Sequence, residues 1–144
     1  MTDYVIDGKE QVLGRAASQV AKLLLQGNNV IILNSESMLI TGHKRNIVEK
    51  YKRLVELKDK ANPEHSPYWS RRPDLFVKRI VRGMLPYKKP RGKEAFKKLR
   101  VYISVPESFQ GAKAHKIESK KVNEIYENVI SVKELTANLG YKGA

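Results

Sequence analysis

The chain has 144 residues, 41% of them hydrophobic, which fits a single domain over residues 1–144 with its own buried core. Its 28 Lys and Arg against 15 Asp and Glu give a formal net charge of +13, which favours a polyanionic partner such as nucleic acid. The chain has no cysteine, which excludes disulfides and thiolate metal sites, and its 3 histidines lie far apart in sequence, so we expect neither a metal nor a cofactor.

Residues 1–40 predict alternating strands and helices. Tyr4–Ile6 form a short strand, and Val30–Leu33 are a continuous apolar run of the kind buried in a parallel sheet. Between them, apolar residues recur at helical spacing over Leu13–Leu25, and Gly27 is placed to end that helix. A further short strand is predicted at Met38–Ile40.

No segment of the sequence predicts attachment to a membrane. The N-terminus has no basic region leading into an apolar one, so it does not resemble a signal peptide. The longest apolar run, Val30–Leu33, is far too short to cross a bilayer. We therefore expect a soluble cytoplasmic protein with no membrane partner.

Two further helices are predicted around a proline-rich loop. The first spans Lys44–Lys58, and residues 62–73 form an irregular loop because they contain three of the prolines. The second runs from Pro73 until Pro86 ends it, and a basic loop follows at Lys88–Lys93. Its predicted buried stripe consists of Phe76, Ile80 and Met84.

The last part of the sequence predicts a helical turn at Glu94–Leu99 and a strand at Val101–Val105. Ser131 and Glu134 have the spacing of a capping box, which opens a short helix closed by Gly140. Strands separated by helices indicate a three-layer α/β/α single domain with a mostly parallel central sheet. Residues 62–100 add a basic loop-and-helix extension to it.

The positive charge is concentrated in residues 71–100, which hold 12 basic and 2 acidic side chains, a net charge of +10. A generally solvated basic surface is one interpretation. The second is a surface for nucleic acid, since so many like charges repel one another until a polyanion neutralises them. On this interpretation the contact residues include Arg71, Arg72, Lys78, Arg79, Arg82, Lys88, Lys89, Arg91 and Lys93.

Two smaller features outside that segment also favour RNA. Tyr68 and Trp69 precede a pair of arginines, so they either stack on an unpaired base or hold the loop against the core. His43, Lys44 and Arg45 lie at a predicted helix N-terminus, where backbone N–H groups favour a phosphate.

Signatures of catalysis are missing from the sequence. There is no Gly-x-Gly-x-x-Gly pattern, no Walker loop and no Gly-x-Ser-x-Gly elbow. We therefore expect a protein that is not an enzyme and has no small-molecule substrate. An α/β enzyme acting on a nucleotide or on RNA stays open as an alternative.

Three motifs in this order resemble one known family. They are Val12-Leu13-Gly14-Arg15-Ala16-Ala17-Ser18, Thr41-Gly42-His43-Lys44 and Val81-Arg82-Gly83-Met84-Leu85-Pro86. The chain resembles the universal large-subunit ribosomal protein thirteen family over roughly residues 3–107. The loop Ser66–Pro73 and the short C-terminal tail resemble the archaeal branch, and the eukaryotic branch stays open as the alternative.

The resemblance implies an α/β protein that binds large-subunit ribosomal RNA and lies beside other large-subunit proteins. It implies that His43, Lys44, Arg82, Gly83 and the basic loop Lys88–Lys93 face RNA. Leu13, Ala17, Met84 and Leu85 would be structural, and Gly14 and Gly83 would permit close approach of a backbone. A free regulatory RNA-binding protein remains the alternative within the same chemistry.

Overall fold

The computed structural model describes residues 2–115, 117 and 128–143. In chain order its helices and strands are β1 (Asp3–Asp7), α1 (Leu13–Leu25), β2 (Asn29–Leu33), β3 (Leu39–Thr41), α2 (Lys44–Glu56), α3 (Pro73–Gly83), α4 (Pro90–Lys97), β4 (Leu99–Val101), β5 (Val129–Ser131) and α5 (Val132–Asn138). Short 3-10 turns lie at Ser35–Ser37, Pro63–His65 and Glu107–Phe109.

The central sheet is parallel and has the strand order β1-β2-β4. Val5 lies opposite Ile31 in β2, and Ile31 lies opposite Arg100 in β4. A separate antiparallel pair joins β3 to β5, with Leu39 opposite Ser131. The predicted α/β fold with a mostly parallel sheet is confirmed.

The main core lies between this sheet and a group of helices that contact one another, α1, α3 and α4. Val30 and Ile32 of β2 belong to that core, whereas Ile31 and Leu33 alternate with them and face the other side of the sheet. The apolar face of α1 is buried as its spacing predicts, through Leu13, Ala16, Ala17, Val20, Ala21 and Leu24.

Several predicted element boundaries are confirmed. The first helix spans Leu13–Leu25, and Gly27 follows it with a φ of +95°. The third helix begins at Pro73, whose ring suits the first turn. In the last helix, the Ser131 hydroxyl accepts a hydrogen bond of 3.2 Å from the Glu134 N–H, and Gly140 ends the helix with a φ of +105°.

Two predictions in the basic segment are wrong. The basic loop Lys88–Lys93 is interrupted by α4, which begins at Pro90. The strand predicted at Val101–Val105 is instead β4, and it ends at Val101. Tyr102 still exchanges backbone hydrogen bonds with Ile32 and Ser35. The strand is not extended further because β2 ends at Leu33 and Asn34 turns away with a φ of +52°.

The predicted stripe of α3 is also partly wrong. Phe76 is buried, but Ile80 is only partly buried and Met84 is 42% exposed. Met84 follows the last residue of α3 and lines an open groove beside Lys22 and Leu25 of α1, so it lies at the edge of the core rather than within it. The buried residues of α3 are Pro73, Phe76, Val77 and Val81, and Leu85 continues this buried face beyond the helix.

Candidate nucleic-acid interface

Helix α3 carries three cationic side chains, each placed over an aromatic ring. The Arg79 guanidinium lies 4.2 Å from the centre of the Trp69 ring, and the Arg82 guanidinium lies 4.1 Å from that of Tyr87. The Lys78 ammonium is 5.2 Å from the centre of the Phe96 ring. These cation–π contacts hold the charged groups in place, and none of the three has an ion pair among the residues that the structure describes.

The end of α3 and the turn after it form a surface depression of about 560 Å³. We call it the cationic depression; it is lined by Arg79, Arg82, Gly83, Leu85, Pro86, Tyr87, Lys88 and Lys89. Its described lining therefore combines guanidinium and ammonium groups with no carboxylate. Burial, and then the neighbouring charge of Arg82, lower the pKa of Arg79. Like charges held together in this way favour an anionic ligand.

The turn places Lys88 and Lys89 beside Arg82 because it packs directly against α4. Gly92 is buried, and a Cβ atom at this position would lie 2.1 Å from the Pro86 carbonyl oxygen. Only glycine permits that approach. Sequence reasoning placed these lysines in a plain loop and missed this packing.

Trp69 and Tyr68 have different environments. The Trp69 ring centre lies 5.7 Å from that of Tyr51 and 6.1 Å from that of Phe76, with Arg79 over its face. Trp69 therefore packs against the core. Tyr68 is 79% exposed. Arg71 and Arg72 follow in the same loop, and Arg72 pairs with Asp74 at 2.9 Å.

The N-terminus of α2 is separate from the cationic depression and from the loop that carries Tyr68 and Trp69. It holds His43, Lys44 and Arg45. Lys44 forms an ion pair with Glu134 of α5, and Arg45 pairs with Glu49 at 3.0 Å. All three residues are exposed, and the His43 side chain does not cap the helix.

Arg91 and Lys93 are exposed on α4, and Arg91 makes an internal contact. Its guanidinium donates to the Leu25 carbonyl at 3.4 Å, while the Lys98 ammonium donates to the Gly27 carbonyl at 3.1 Å. These cations satisfy carbonyl groups where α1 ends, as helix C-termini favour. The roles of Lys98, Tyr87 and Phe96 are not visible in the sequence, because no local pattern pairs them with their partners.

Neither a metal site nor a membrane span is found in the described part of the chain. No three carboxylate or imidazole side chains there are arranged to hold a metal ion. None of the described helices combines the length and apolarity needed to cross a bilayer.

Residues 1–108 match the family of ribosomal protein L13. The chain belongs to this family. The large ribosomal subunit protein uL13 of Archaeoglobus fulgidus is 39% identical, with 96% of this chain and 88% of that protein covered. The uL13 protein of Methanocaldococcus jannaschii is 41% identical, with 96% of this chain and 98% of that protein covered. The uL13 protein of Methanopyrus kandleri is 40% identical, with 96% of this chain and 87% of that protein covered.

Membership of the L13 family confirms the resemblance seen in the three motifs. The archaeal relatives also confirm the archaeal-type branch. The expectation of a ribosomal protein rather than an enzyme is confirmed by the same membership.

Proposed function

We propose that this chain is a structural constituent of the large ribosomal subunit, that it binds large-subunit ribosomal RNA, and that it supports subunit assembly and translation in the cytoplasm. The observation that carries the RNA contact is the cationic depression. Arg79, Arg82, Lys88 and Lys89 converge there around a described lining that contains no carboxylate. Neighbouring large-subunit proteins are its other partners.

Phosphate groups fit the chemistry of the cationic depression. A guanidinium presents several N–H donors in one plane, which matches the oxygens of a phosphate. Arg82 and Arg79 are held by Tyr87 and Trp69, so little side-chain freedom is lost when an anion binds. Lys88 and Lys89 are exposed and have no ion pair within the described residues, so they can bind phosphates directly.

Gly83 adds a place for close approach. A Cβ atom at Gly83 would meet nothing within 4 Å, and its φ is not positive, so nothing in the described structure requires glycine there. The absence of a side chain beside Arg82 allows an RNA backbone to reach the end of α3. Gly14, at the start of α1, has the same open space.

The remaining predicted residues extend the contact around this centre. Lys78 lies near the depression, because its ammonium is over Phe96, which packs on Tyr87. Arg91 and Lys93 add charge from α4, and Arg71 and Arg72 add it from the loop before α3. His43, Lys44 and Arg45 form a separate contact at the start of α2, where RNA competes with Glu134 and Glu49 for the two cations.

The proposal is tested by removing three charges from the depression. We expect the triple variant Arg82→Gln, Lys88→Gln, Lys89→Gln to fold but to enter large subunits poorly, measured by sucrose-gradient fractionation of cells that express tagged protein. The matched control is Lys9→Gln, Lys133→Gln, Lys142→Gln, which removes the same charge from exposed positions outside the depression. Equal incorporation of the two variants would contradict the proposed contact.

The same gradients address the alternative of a free regulatory RNA-binding protein. A structural constituent is found almost entirely in large subunits and whole ribosomes. A regulator is found mainly in the light fractions near the top of the gradient, which contain no ribosomal subunits. If the unaltered chain is found mainly there, the proposal is contradicted.

A further inference from the structure

Among the large apolar side chains that the structure describes, Tyr68 is the most exposed, at 79%. Its backbone is nevertheless held firmly. The Arg79 guanidinium donates a hydrogen bond of 2.7 Å to the Tyr68 carbonyl, and the adjacent Trp69 ring packs on Tyr51 and Phe76. The tyrosine ring is therefore presented to solvent from a fixed position.

The segment that leads to Tyr68 is ordered by its own hydrogen bonds. The Ser66 hydroxyl accepts from the Asp59 N–H at 2.7 Å, and the Asp59 carboxylate accepts from the N–H groups of Ala61 and Asn62 at 3.1 and 3.2 Å. Because the loop is already ordered, a ligand that binds there does not have to order it.

Tyr68 borders a groove of about 730 Å³ between the end of α2, the loop and the start of α3. Leu57 and Leu75 also line it, and they are 49% and 41% exposed. The rest of the apolar lining consists of Val55, Pro63, Pro67 and Trp69. A single exposed apolar side chain is common on protein surfaces, but several that share one exposed groove indicate a binding site.

The rim of this groove is cationic. Lys58, Lys60 and Arg71 line it and form no ion pair within the described residues. The one carboxylate in the lining, Asp59, already accepts two backbone hydrogen bonds. An apolar floor with a cationic rim matches a nucleotide, whose base offers flat apolar faces and whose phosphates carry the negative charge.

The groove and the cationic depression lie next to each other. Arg79 lines the depression, and its guanidinium lies over Trp69, which lines the groove. A strand of RNA on the depression can therefore extend into the groove. A protein partner would instead need a segment with both apolar and acidic side chains.

We propose that this groove binds an unpaired RNA base, which stacks on Tyr68, while Lys58, Lys60 and Arg71 bind the adjacent phosphates. This inference rests on the proposed binding of ribosomal RNA. It adds that the RNA element bound in the groove is single-stranded.

The test compares two RNA probes on the full chain. One is a single strand of about 12 adenosines with a central 2-aminopurine, and the other is the duplex of that strand with its complement. We expect Tyr68→Ala to weaken binding of the single strand roughly tenfold to a hundredfold and to abolish the change in 2-aminopurine fluorescence that binding causes. Tyr68→Phe keeps the ring and should behave as the unaltered chain does.

The duplex separates stacking from charge. Tyr68→Ala should leave the affinity for the duplex unchanged. The double variant Lys88→Gln, Lys89→Gln should bind both the single strand and the duplex more weakly. Thermal unfolding of Tyr68→Ala should match that of the unaltered chain, since the side chain is exposed.

If Tyr68→Ala changes neither the affinity for the single strand nor the 2-aminopurine signal, the inference is overturned. Duplex binding by the unaltered chain would in that case leave the proposed RNA contact standing. Release of a neighbouring protein from subunits carrying Tyr68→Ala, with RNA binding intact, would also overturn it and assign the groove to protein. Failure of the unaltered chain to bind either probe would overturn this inference, while incorporation into large subunits, measured in the gradients, tests the proposed function separately.

Discussion

Gly92 controls the position of two proposed RNA-binding lysines without contacting a ligand itself. A Cβ atom there would lie 2.1 Å from the Pro86 oxygen and 2.3 Å from its carbonyl carbon, both of which are backbone atoms. The backbone of the turn would have to move, and Lys88 and Lys89 would move with it.

We expect Gly92→Ala to lower the free energy of unfolding by about 1–3 kcal/mol, the usual cost of overpacking. Gly83→Ala is the matched control, because that position lies at the end of a helix with nothing within 4 Å. It should leave stability unchanged or raise it by about 0.4–1 kcal/mol. Urea unfolding of both variants measures the difference, and equal stabilities would show that the turn adapts to the added methyl group.

Tyr51 makes stability depend on alkaline pH. Burial raises the pKa of Tyr51 above its ordinary value of 10.0, since the ring packs among Trp69 and Phe76. Below pH 10 the phenol is neutral in both states and its contribution to stability is fully present. As the pH rises further, the unfolded chain loses this proton first, so the folded state loses stability.

We therefore expect Tyr51→Phe to lose less stability than the unaltered chain between neutral pH and a pH above 10. The comparison between the two proteins removes the contribution of the other tyrosines and of the lysines, which titrate in both. Urea unfolding at a series of pH values measures it, and parallel curves would contradict the assignment to Tyr51.

Helix α3 serves two purposes along a single run of residues. Phe76, Val77 and Val81 are buried in the core, while Arg82 is exposed at the rim of the cationic depression. Ile80 lies between these environments and is only partly buried. Stability and RNA binding should therefore respond to different residues of the same helix.

We expect Phe76→Ala to cost about 3–5 kcal/mol, because the ring is 1% exposed and its removal leaves a cavity. Ile80→Ala should cost less. Arg82→Gln should change stability little, since loss of its ring contact with Tyr87 is offset by reduced repulsion from Arg79. Thermal unfolding ranks the three variants, and a larger loss for Arg82→Gln than for Phe76→Ala would contradict this division.

The molecule as a whole concentrates its charge on one part of its surface. Of the net charge of +13, residues 71–100 account for +10, and they form α3, the turn, α4 and β4. Binding to RNA through this region should release many condensed counterions, which makes the affinity depend steeply on salt.

If about six cations bind phosphates, the affinity for large-subunit ribosomal RNA should fall on the order of a thousandfold between 50 and 200 mM salt. Filter binding across that range measures the slope. The triple variant Arg82→Gln, Lys88→Gln, Lys89→Gln should show a shallower slope than the unaltered chain, and an affinity almost independent of salt would contradict a phosphate-based contact.

The family, the α/β class and the location of the excess charge could all be predicted from the amino-acid sequence. It also predicted the limits of α1, the start of α3 and the cap of α5. These properties depend on residues close together in the chain, because helical periodicity, proline at a first turn and a capping serine act over a few positions.

Which cations lie together and which aromatic ring stays exposed depends instead on how the helices pack. Arg79 stacks on Trp69 and Arg82 on Tyr87, while Arg91 reaches Leu25, 66 positions away. Lys44 meets Glu134, 90 positions away. Contacts over such separations depend on how the helices pack, and no local pattern in the chain encodes them. The same packing buries the face of Trp69 and leaves Tyr68, its neighbour in sequence, free to bind.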